Sequence, residues 1–182
     1  MWGRRTKIDP QRERNVTDAD KARERTMNRA IKLLAAKPRS VAELRERLLE
    51  KLWTDEGIVD SVIERLKDYK YLDDEQYARD AALSRLRQRP QGRRRLEHTL
   101  AQKNLDKDVI KEAVDNAFEN MPEDELIKTA IEKRIRLKGP PKTRADLKKF
   151  YDYLLRRGFS YESIREGMAD IGTGDQEESA AE

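Results

Sequence analysis

The chain has 182 residues, of which 42% are charged, 36% hydrophobic and 6% aromatic. Its longest apolar run covers residues 33–36, whereas a bilayer span needs about 20 residues, and the basic N-terminus leads into no apolar stretch. We therefore expect no membrane span, no secretory signal and a cytoplasmic location. Without Cys and with the single His98, disulfides, thiol catalysis and two-imidazole metal sites are excluded, so we expect neither a cofactor nor an enzyme.

The chain opens with a segment that does not predict regular structure. Residues 1–17 carry five basic and two acidic side chains with few apolar ones, which predicts a flexible basic tail. A helical pattern then begins near Asp18 and stops at Pro38. Its expected buried face consists of Met27, Ala30, Ile31 and Leu34.

Two further helices are predicted before residue 70. Ser40 followed by Glu43 is a capping-box signature that places a helix start at Val41. Thr54 is the expected cap of the next helix. The apolar stripes of the two helices are Leu44, Leu48 and Leu52, and then Ile58, Val62, Ile63 and Leu66.

The same design recurs twice along the chain. Six apolar and capping positions of the first copy, from Leu44 to Val62, reappear 52 residues later and again 54 residues after that. Any chain of amphipathic helices gives some matches of this kind, but six role-matched positions in three copies favour true repeats. We predict an all-α protein of three tandem three-helix repeats in an elongated, curved rod, because such units bury their apolar faces by stacking. The predicted repeats are residues 18–70, 71–120 and 121–171, followed by an acidic tail at residues 172–182. The recurring positions are Leu44, Leu48, Trp53, Thr54, Ile58 and Val62 in the first repeat. They are Leu96, Leu100, Leu105, Asp106, Ile110 and Val114 in the second, and Phe150, Leu154, Phe159, Ser160, Ile164 and Met168 in the third.

Basic and acidic residues are segregated along the chain, although the net charge is only +4. Residues 85–103 hold seven basic and one acidic side chain, and residues 133–157 hold ten and two, whereas residues 38–80 are net acidic. Cations that merely solvate helix faces would be interspersed with acids, so the pattern favours a contact with an acidic partner, either nucleic-acid phosphates or a carboxylate-lined protein groove. The candidate contacts surround the joints at residues 90–92 and 139–141 and are Arg85, Arg87, Arg89, Arg93, Arg94, Arg95, Lys133, Arg134, Arg136, Lys142, Arg144, Lys148, Lys149, Arg156 and Arg157.

Aromatic residues cluster in the third predicted repeat. Phe150 and Phe159 hold core-equivalent positions and are expected to be buried, as is Trp53 in the first repeat. Tyr151 and Tyr161 are candidates for exposure, but so few aromatic residues between the basic ones are only a thin signal for stacking on single-stranded bases. His98 lies among basic residues and is expected to be an ordinary surface side chain.

Asp73 and Asp74 are adjacent carboxylates that invite a catalytic interpretation. Paired carboxylates serve general acid and base chemistry or bind Mg²⁺, but only Glu75 lies nearby, and no glycine-rich phosphate loop accompanies them. One of the two aspartates is better explained as the N-cap of the helix that follows. We therefore expect no catalytic or metal-binding residue here.

Several motifs in order resemble the RecX family of bacterial regulators of the recombinase RecA. They are Tyr71-Leu72-Asp73-Asp74, then Tyr77-Ala78, and finally Arg156-Arg157-Gly158-Phe159-Ser160. The resemblance covers about residues 26–170, and the family is built from three repeats of three helices. A glycine that is usual near the end of each middle helix is kept at Gly158 but replaced by Leu52 and Asn104 in the first two copies. Asn can adopt the left-handed conformation and Leu only at a cost, so we expect a reshaped turn in the first repeat.

The resemblance implies a monomeric protein that lies in the helical groove of a RecA filament on single-stranded DNA. It would inhibit filament growth, ATP hydrolysis, strand exchange and repressor cleavage, with duplex DNA as a further candidate partner. Two alternatives stay open. One is a helix-turn-helix DNA-binding protein without a recombinase partner; the other is a weak Mg²⁺-dependent hydrolase that uses Asp73 and Asp74.

Overall fold

The structure is a computed structural model that describes residues 16 and 18–172, with only the backbone of residues 170–172. In this part of the chain all regular structure is helical, as predicted, and it forms three tandem three-helix repeats. The helices are α1 (Ala19–Ala36), α2 (Val41–Leu49), α3 (Glu56–Asp68), α4 (Asp74–Gln88), α5 (Arg93–Ala101), α6 (Lys107–Asn120), α7 (Glu123–Lys138), α8 (Arg144–Arg156) and α9 (Tyr161–Gly172).

Short polar side chains start most of these helices. The free N–H groups of a first turn need acceptors, and a side-chain oxygen just before the helix supplies one. Ser40 and Asp106 are confirmed as N-caps, and Asp18 caps α1; each accepts a hydrogen bond from a backbone N–H two or three residues further on. Ser160 does the same for α9, accepting from the N–H of Ser163 at 3.0 Å.

The cap of α3 differs from the prediction. Asp55, not Thr54, accepts the hydrogen bond from the N–H of Ile58, at 2.8 Å. Thr54 is fully buried, and its hydroxyl lies 2.9 Å from that of Thr26 on α1. A carboxylate suits the positive end of a helix, while a buried hydroxyl needs a partner from the core, so the two side chains take different roles.

The first repeat has one more residue in its second turn than the other two. Leu48 lies seven residues before the cap Asp55, whereas Leu100 and Leu154 lie six before Asp106 and Ser160. The shorter turns use left-handed residues, Asn104 with φ 53° and Gly158 with φ 85°, and Leu52 adopts no positive φ. The reshaped first turn is thus confirmed. The expected offset of 52 is wrong for the third helix: Thr54, Val59 and Ile63 are the equivalents of Leu105, Ile110 and Val114, and Trp53 is only half-buried.

The chain divides into two compact units, and the first unit (Met1–Tyr77) contains α1, α2 and α3 packed against one another. Ile31 was expected inside but is 49% exposed. The other predicted residues of the inner face of α1 are confirmed, since Ala30 is fully buried and Met27 and Leu34 pack against the core. Ala22 and Thr26 complete the face; with Ala30 they form a row of small residues at a spacing of four that lets the helices approach closely. The core of the unit is completed by Leu44, Leu48, Leu49, Val59, Val62, Ile63, Leu66 and Leu72.

The second unit (Ala78–Glu182) contains the helices from α5 to α9 and most of α4. In it α5 packs on α6, and α7, α8 and α9 pack on one another. Phe150 and Phe159 are 4% and 3% exposed, which confirms their predicted burial. Other buried side chains of this unit are Leu86, Leu96, Leu100, Leu105, Ile110, Val114, Ile127, Ile131, Leu154, Ile164 and Met168.

Several expectations concern parts of the chain or properties that these helices do not test. The basic tail at residues 1–17 and the acidic tail at residues 172–182 lie outside the described residues, apart from residue 16 and from residue 172, which ends α9. The repeat boundaries and the rod shape stay predictions.

Candidate functional site: the basic surface of the second unit

The joint between α4 and α5 is held against the turn between α8 and α9. The backbone N–H of Gly92 donates to the carbonyl oxygen of Arg157 at 3.0 Å. In return, the guanidinium Nη1 of Arg157 donates to the carbonyl oxygen of Pro90 at 3.2 Å. These bonds join the second repeat to the third and bring Arg157 next to the joint at residues 90–92.

Two glycines make this approach possible. A Cβ on Gly92 would lie 2.1 Å from the carbonyl oxygen of Gly158, and a Cβ on Gly158 would lie 2.5 Å from the Cβ of Arg95. Both distances are far inside van der Waals contact. Gly158 also has φ 85°, a conformation that other residues rarely adopt. Backbone therefore packs on backbone here, and the relative position of the surrounding arginines is fixed by it.

A groove lined by three unpaired cations lies between the end of α4 and α7. Arg87 contributes from α4, and Lys133 and Arg136 contribute from α7; all three are exposed. None of the three makes an ion pair within the described residues, and Glu132 is the one acidic side chain of the lining. Because these cations are not neutralised locally, they remain available to an anionic partner. The other lining residues are Gln88, Pro90 and Thr129.

Two further guanidinium groups share one tyrosine ring. The Cζ atom of Arg134 lies 4.7 Å from the ring centroid of Tyr153, and that of Arg157 lies 5.1 Å from it. Contact with a ring face stabilises a cation without neutralising its charge. No role was predicted for Tyr153, although its position four residues before Arg157 on one helical face was the available signal.

Not all candidate cations belong to this arrangement. Arg93 forms an ion pair with Asp115 and lies over the ring of Phe118, with 5.1 Å between its Cζ atom and the centroid. Lys149 pairs with Asp146 at 3.5 Å, and Arg94 lines a different groove, beside His98, which is exposed as expected. Arg85 is half-buried; the remaining candidates, which are Arg89, Arg95, Lys142, Arg144, Lys148 and Arg156, are exposed.

Several basic residues of the first unit are, in contrast, neutralised by acidic neighbours. Arg45 lies 2.8 Å from Asp60 and 3.5 Å from Glu56. Arg47 and Lys67 each pair with a glutamate three residues away on or next to their own helix. The groove of the second unit differs from these sites, because its three cations have no ion-pair partner in the described part of the chain.

Asp73 and Asp74 act as structural acceptors. Asp73 accepts from the N–H of Gln76 at 2.9 Å and so caps α4, which confirms the predicted role. Asp74 accepts from the N–H of Val41, the first residue of α2, at 2.8 Å. Burial raises the pKa of Asp74 despite this hydrogen bond. The described residues contain no group of three or more His, Cys, Asp or Glu side chains that could hold a metal ion.

Glu123 repeats the role of Asp74 and was missed by the sequence analysis. It is the first residue of α7, and its carboxylate accepts from the N–H of Arg93, the first residue of α5. Burial raises the pKa of Glu123 as well. In both cases an acid that opens one repeat satisfies the start of the middle helix of the preceding repeat.

The fold and this surface define a class of protein: an all-helical repeat protein with a groove of unpaired cations in its second unit. Among the described residues no helix is both long and apolar enough to span a membrane. Three family models, for the first, second and third three-helix domains of RecX, match residues 27–66, 73–114 and 122–168. The chain belongs to the RecX family of regulatory proteins.

Individual relatives agree with this assignment. The chain is 32% identical over 155 residues to the regulatory protein RecX of Prosthecochloris aestuarii, covering 85% of this chain and 99% of that protein. It is 33% identical over 141 residues to the regulatory protein RecX of Chlorobaculum tepidum, covering 77% and 84%. The crystal structure of RecX from Lactobacillus salivarius has the same fold, with a TM-score of 0.73 at 21% identity over 85% of this chain and 99% of that one.

Proposed function

We propose that this protein binds RecA filaments on single-stranded DNA within their helical groove and inhibits filament growth, ATP hydrolysis, strand exchange and repressor cleavage. Membership of the RecX family is the observation that carries the proposal. The protein acts by occupying a surface rather than by catalysing a reaction, as a monomer in the cytoplasm.

The basic surface of the second unit supports a contact with DNA phosphates. Arg87, Lys133 and Arg136 offer charge that no acidic neighbour uses, and Arg134 and Arg157 are held in place by the ring of Tyr153. Cations that are unpaired and already held in place gain the most binding free energy from a phosphate contact, because their side chains lose little conformational entropy on binding. The other exposed candidates of this unit would extend the contact.

A helix-turn-helix reader of duplex DNA is less well supported. Such a module places its last helix in the major groove. Here α3 and α6 each carry four acidic and two basic residues, and α9 carries three and one. Phosphates would repel all three helices, whereas a protein lattice with basic patches would not.

The proposal is tested by adding the protein to RecA filaments that hydrolyse ATP on single-stranded DNA. We expect hydrolysis to fall as the protein is titrated, and filament lengths seen by electron microscopy to shorten. Hydrolysis and filament length that do not change at stoichiometric amounts would contradict the proposal. Sequence-specific duplex binding by the same preparation would favour the alternative instead.

The role of the groove is tested by the triple variant Arg87→Ala, Lys133→Ala, Arg136→Ala. If each exposed cation contributes about 0.5 to 1 kcal/mol, the concentration needed for half-inhibition should rise about 10- to 150-fold. Arg93 is left unchanged, because its contacts with Asp115 and Phe118 would confuse a binding effect with a stability effect.

A matched control removes the same charge from the first unit. The variant Arg25→Ala, Lys32→Ala, Lys37→Ala loses three positive charges at exposed sites. It should inhibit like the unaltered protein. Equal weakening in both variants would mean that net charge, and not the groove, governs the interaction.

A further inference from the structure

Exposed apolar side chains gather on one face of α8. Leu147 and Leu155 are 41% and 44% exposed, and the half-buried Tyr151 lies midway between them. A spacing of four residues puts the three on the same helical face. Tyr161, 66% exposed, meets Tyr151 with ring centroids 5.8 Å apart and an angle of 45° between the rings. We call Leu147, Tyr151, Leu155 and Tyr161 the tyrosine stripe.

The position of Tyr161 is not explained by packing. It is the first residue of α9, directly after the cap Ser160, and its only described ring contact is the tilted one with Tyr151. Single exposed apolar residues are common on protein surfaces, but contiguous exposed apolar groups mark contact sites. This group of four side chains, three on α8 and one at the start of α9, therefore indicates a binding surface.

Cations beside the stripe indicate the charge of that occupant. Arg144 and Lys148 are exposed, and each precedes a member of the stripe by three residues, which makes them neighbours on the helix. Neither forms an ion pair within the described part of the chain. Lys149, which points away from the stripe in the helical register, is the one that pairs with Asp146.

We propose that the tyrosine stripe stacks on unpaired bases of single-stranded nucleic acid while Arg144 and Lys148 contact the neighbouring phosphates. Aromatic rings next to unpaired cations are the chemistry by which proteins hold single strands, because every base has a face to stack and every linkage a negative charge. A duplex hides its base faces, so the stripe selects single strands. The groove of Arg87, Lys133 and Arg136, which has no aromatic lining, reads phosphates alone.

This inference rests on the proposed function, because single-stranded DNA is part of the proposed target. The test uses the isolated full-length protein. The probes are a thymidine oligonucleotide of about twelve residues and an abasic strand of the same length, which keeps the phosphates and lacks the bases. We expect the thymidine strand to bind about 5- to 150-fold more tightly in fluorescence anisotropy.

Variants assign the preference to the stripe. Tyr161→Ala should reduce the preference for the base-bearing strand and leave affinity for the abasic strand unchanged, whereas Tyr161→Phe, which keeps the ring, should retain it. Tyr71→Ala is the matched control, because Tyr71 is 69% exposed but lies beside Asp73 and Asp74 rather than beside cations. It should behave like the unaltered protein.

Each other result overturns the inference. Equal affinity for the two strands, or a preference that survives Tyr161→Ala, would show that bases do not stack there. Tyr161→Ala that weakens filament inhibition without any strand preference would assign the stripe to a protein contact. The outcome for the proposed function is separate: a clear strand preference together with unchanged ATP hydrolysis would sustain the stripe and reject filament inhibition.

Discussion

Gly158 and Arg157 illustrate how adjacent residues can combine scaffold and surface roles. Gly158 turns the chain at φ 85° and lets the backbone of Arg95 approach. Arg157 donates to the carbonyl oxygen of Pro90 through its side chain and accepts from Gly92 through its own carbonyl. Its positive charge is nonetheless not cancelled by any acid among the described residues. A substitution of Arg157 would therefore change both stability and binding. Substitutions of the groove cations Arg87, Lys133 and Arg136 test binding more directly.

Gly158→Ala is expected to destabilise the protein by about 2 to 5 kcal/mol. The left-handed conformation costs an alanine about 1 to 2 kcal/mol, and the overlap with Arg95 adds about 1 to 3 kcal/mol. The measurement is the unfolding midpoint in urea.

Gly139→Ala is the control for Gly158→Ala. Gly139 also has a positive φ, 76°, but a Cβ there would meet nothing within 4 Å. Its ψ of 166° places it in an extended positive-φ region that is essentially restricted to glycine, so only a conformational cost of about 1 to 3 kcal/mol should appear. Equal losses for the two variants would mean that the close approach to Arg95 contributes nothing.

At the scale of helices, successive repeats are linked by carboxylates that cap across elements. Asp74 at the start of α4 accepts from the first N–H of α2, and Glu123 at the start of α7 accepts from the first N–H of α5. The middle helix of each of the first two repeats thus obtains an acceptor from the helix that opens the next repeat. The glycine that precedes α5 has no side chain to cap it, which makes Glu123 the more important of the two.

The contribution of these two acids to the free energy of unfolding should increase as the pH falls towards 4. Burial raises the pKa of Asp74 above its ordinary value of 3.8 and that of Glu123 above 4.5. Between the ordinary and the raised values the folded state binds more protons than the unfolded state, so this stabilisation is complete below the ordinary pKa and is lost as the pH rises through the raised one. The melting temperature of the unaltered protein, relative to that of Asp74→Asn or Glu123→Gln, should therefore increase as the pH is lowered from 7.

Asp60→Asn provides a control of opposite sign. The hydrogen bond from Arg45 lowers the pKa of Asp60, so its contribution is present at neutral pH and is lost as the pH falls through the lowered value. The advantage of the unaltered protein over Asp60→Asn should shrink on acidification. The same trend for Asp74→Asn would contradict the assigned burial.

At the scale of the whole molecule, the net charge of +4 understates how unevenly the charge is used. Five cations of the first unit are paired with acids, whereas the groove cations of the second unit, Arg87, Lys133 and Arg136, are not. A chain organised in this way can present an anionic partner with strong local attraction while staying near neutrality overall.

The salt dependence of binding to single-stranded DNA measures how many of these cations meet phosphates. Each contact with a single strand contributes about 0.7 to the slope of log affinity against log salt. The triple variant of Arg87, Lys133 and Arg136 should therefore lower the magnitude of the slope by about 2. Tyr161→Ala should lower affinity without changing the slope, because stacking releases no counterion; an unchanged slope in the triple variant would remove the groove from the contact with DNA.

The amino-acid sequence alone determined the helices, the triplication and the family. These follow from local physics, because the period of apolar residues, the caps Ser40 and Asp106 and the left-handed Asn104 and Gly158 act over a few neighbouring residues. The sequence also singled out the basic segments. It misplaced Ile31 and Thr54, since which side of α1 is buried and which polar residue caps α3 depend on the partner that packs against each.

Tertiary structure decided which cations are usable. Fifteen candidates were equivalent in the sequence; only the fold pairs Arg93 with Asp115, sets Arg134 on Tyr153, and joins Arg87 to Lys133 and Arg136 in one groove. Asp74 and Glu123 became caps for the same reason. Electrostatic and hydrogen-bond partners meet through space, at separations of tens of residues along the chain, and a linear pattern holds no record of those distances.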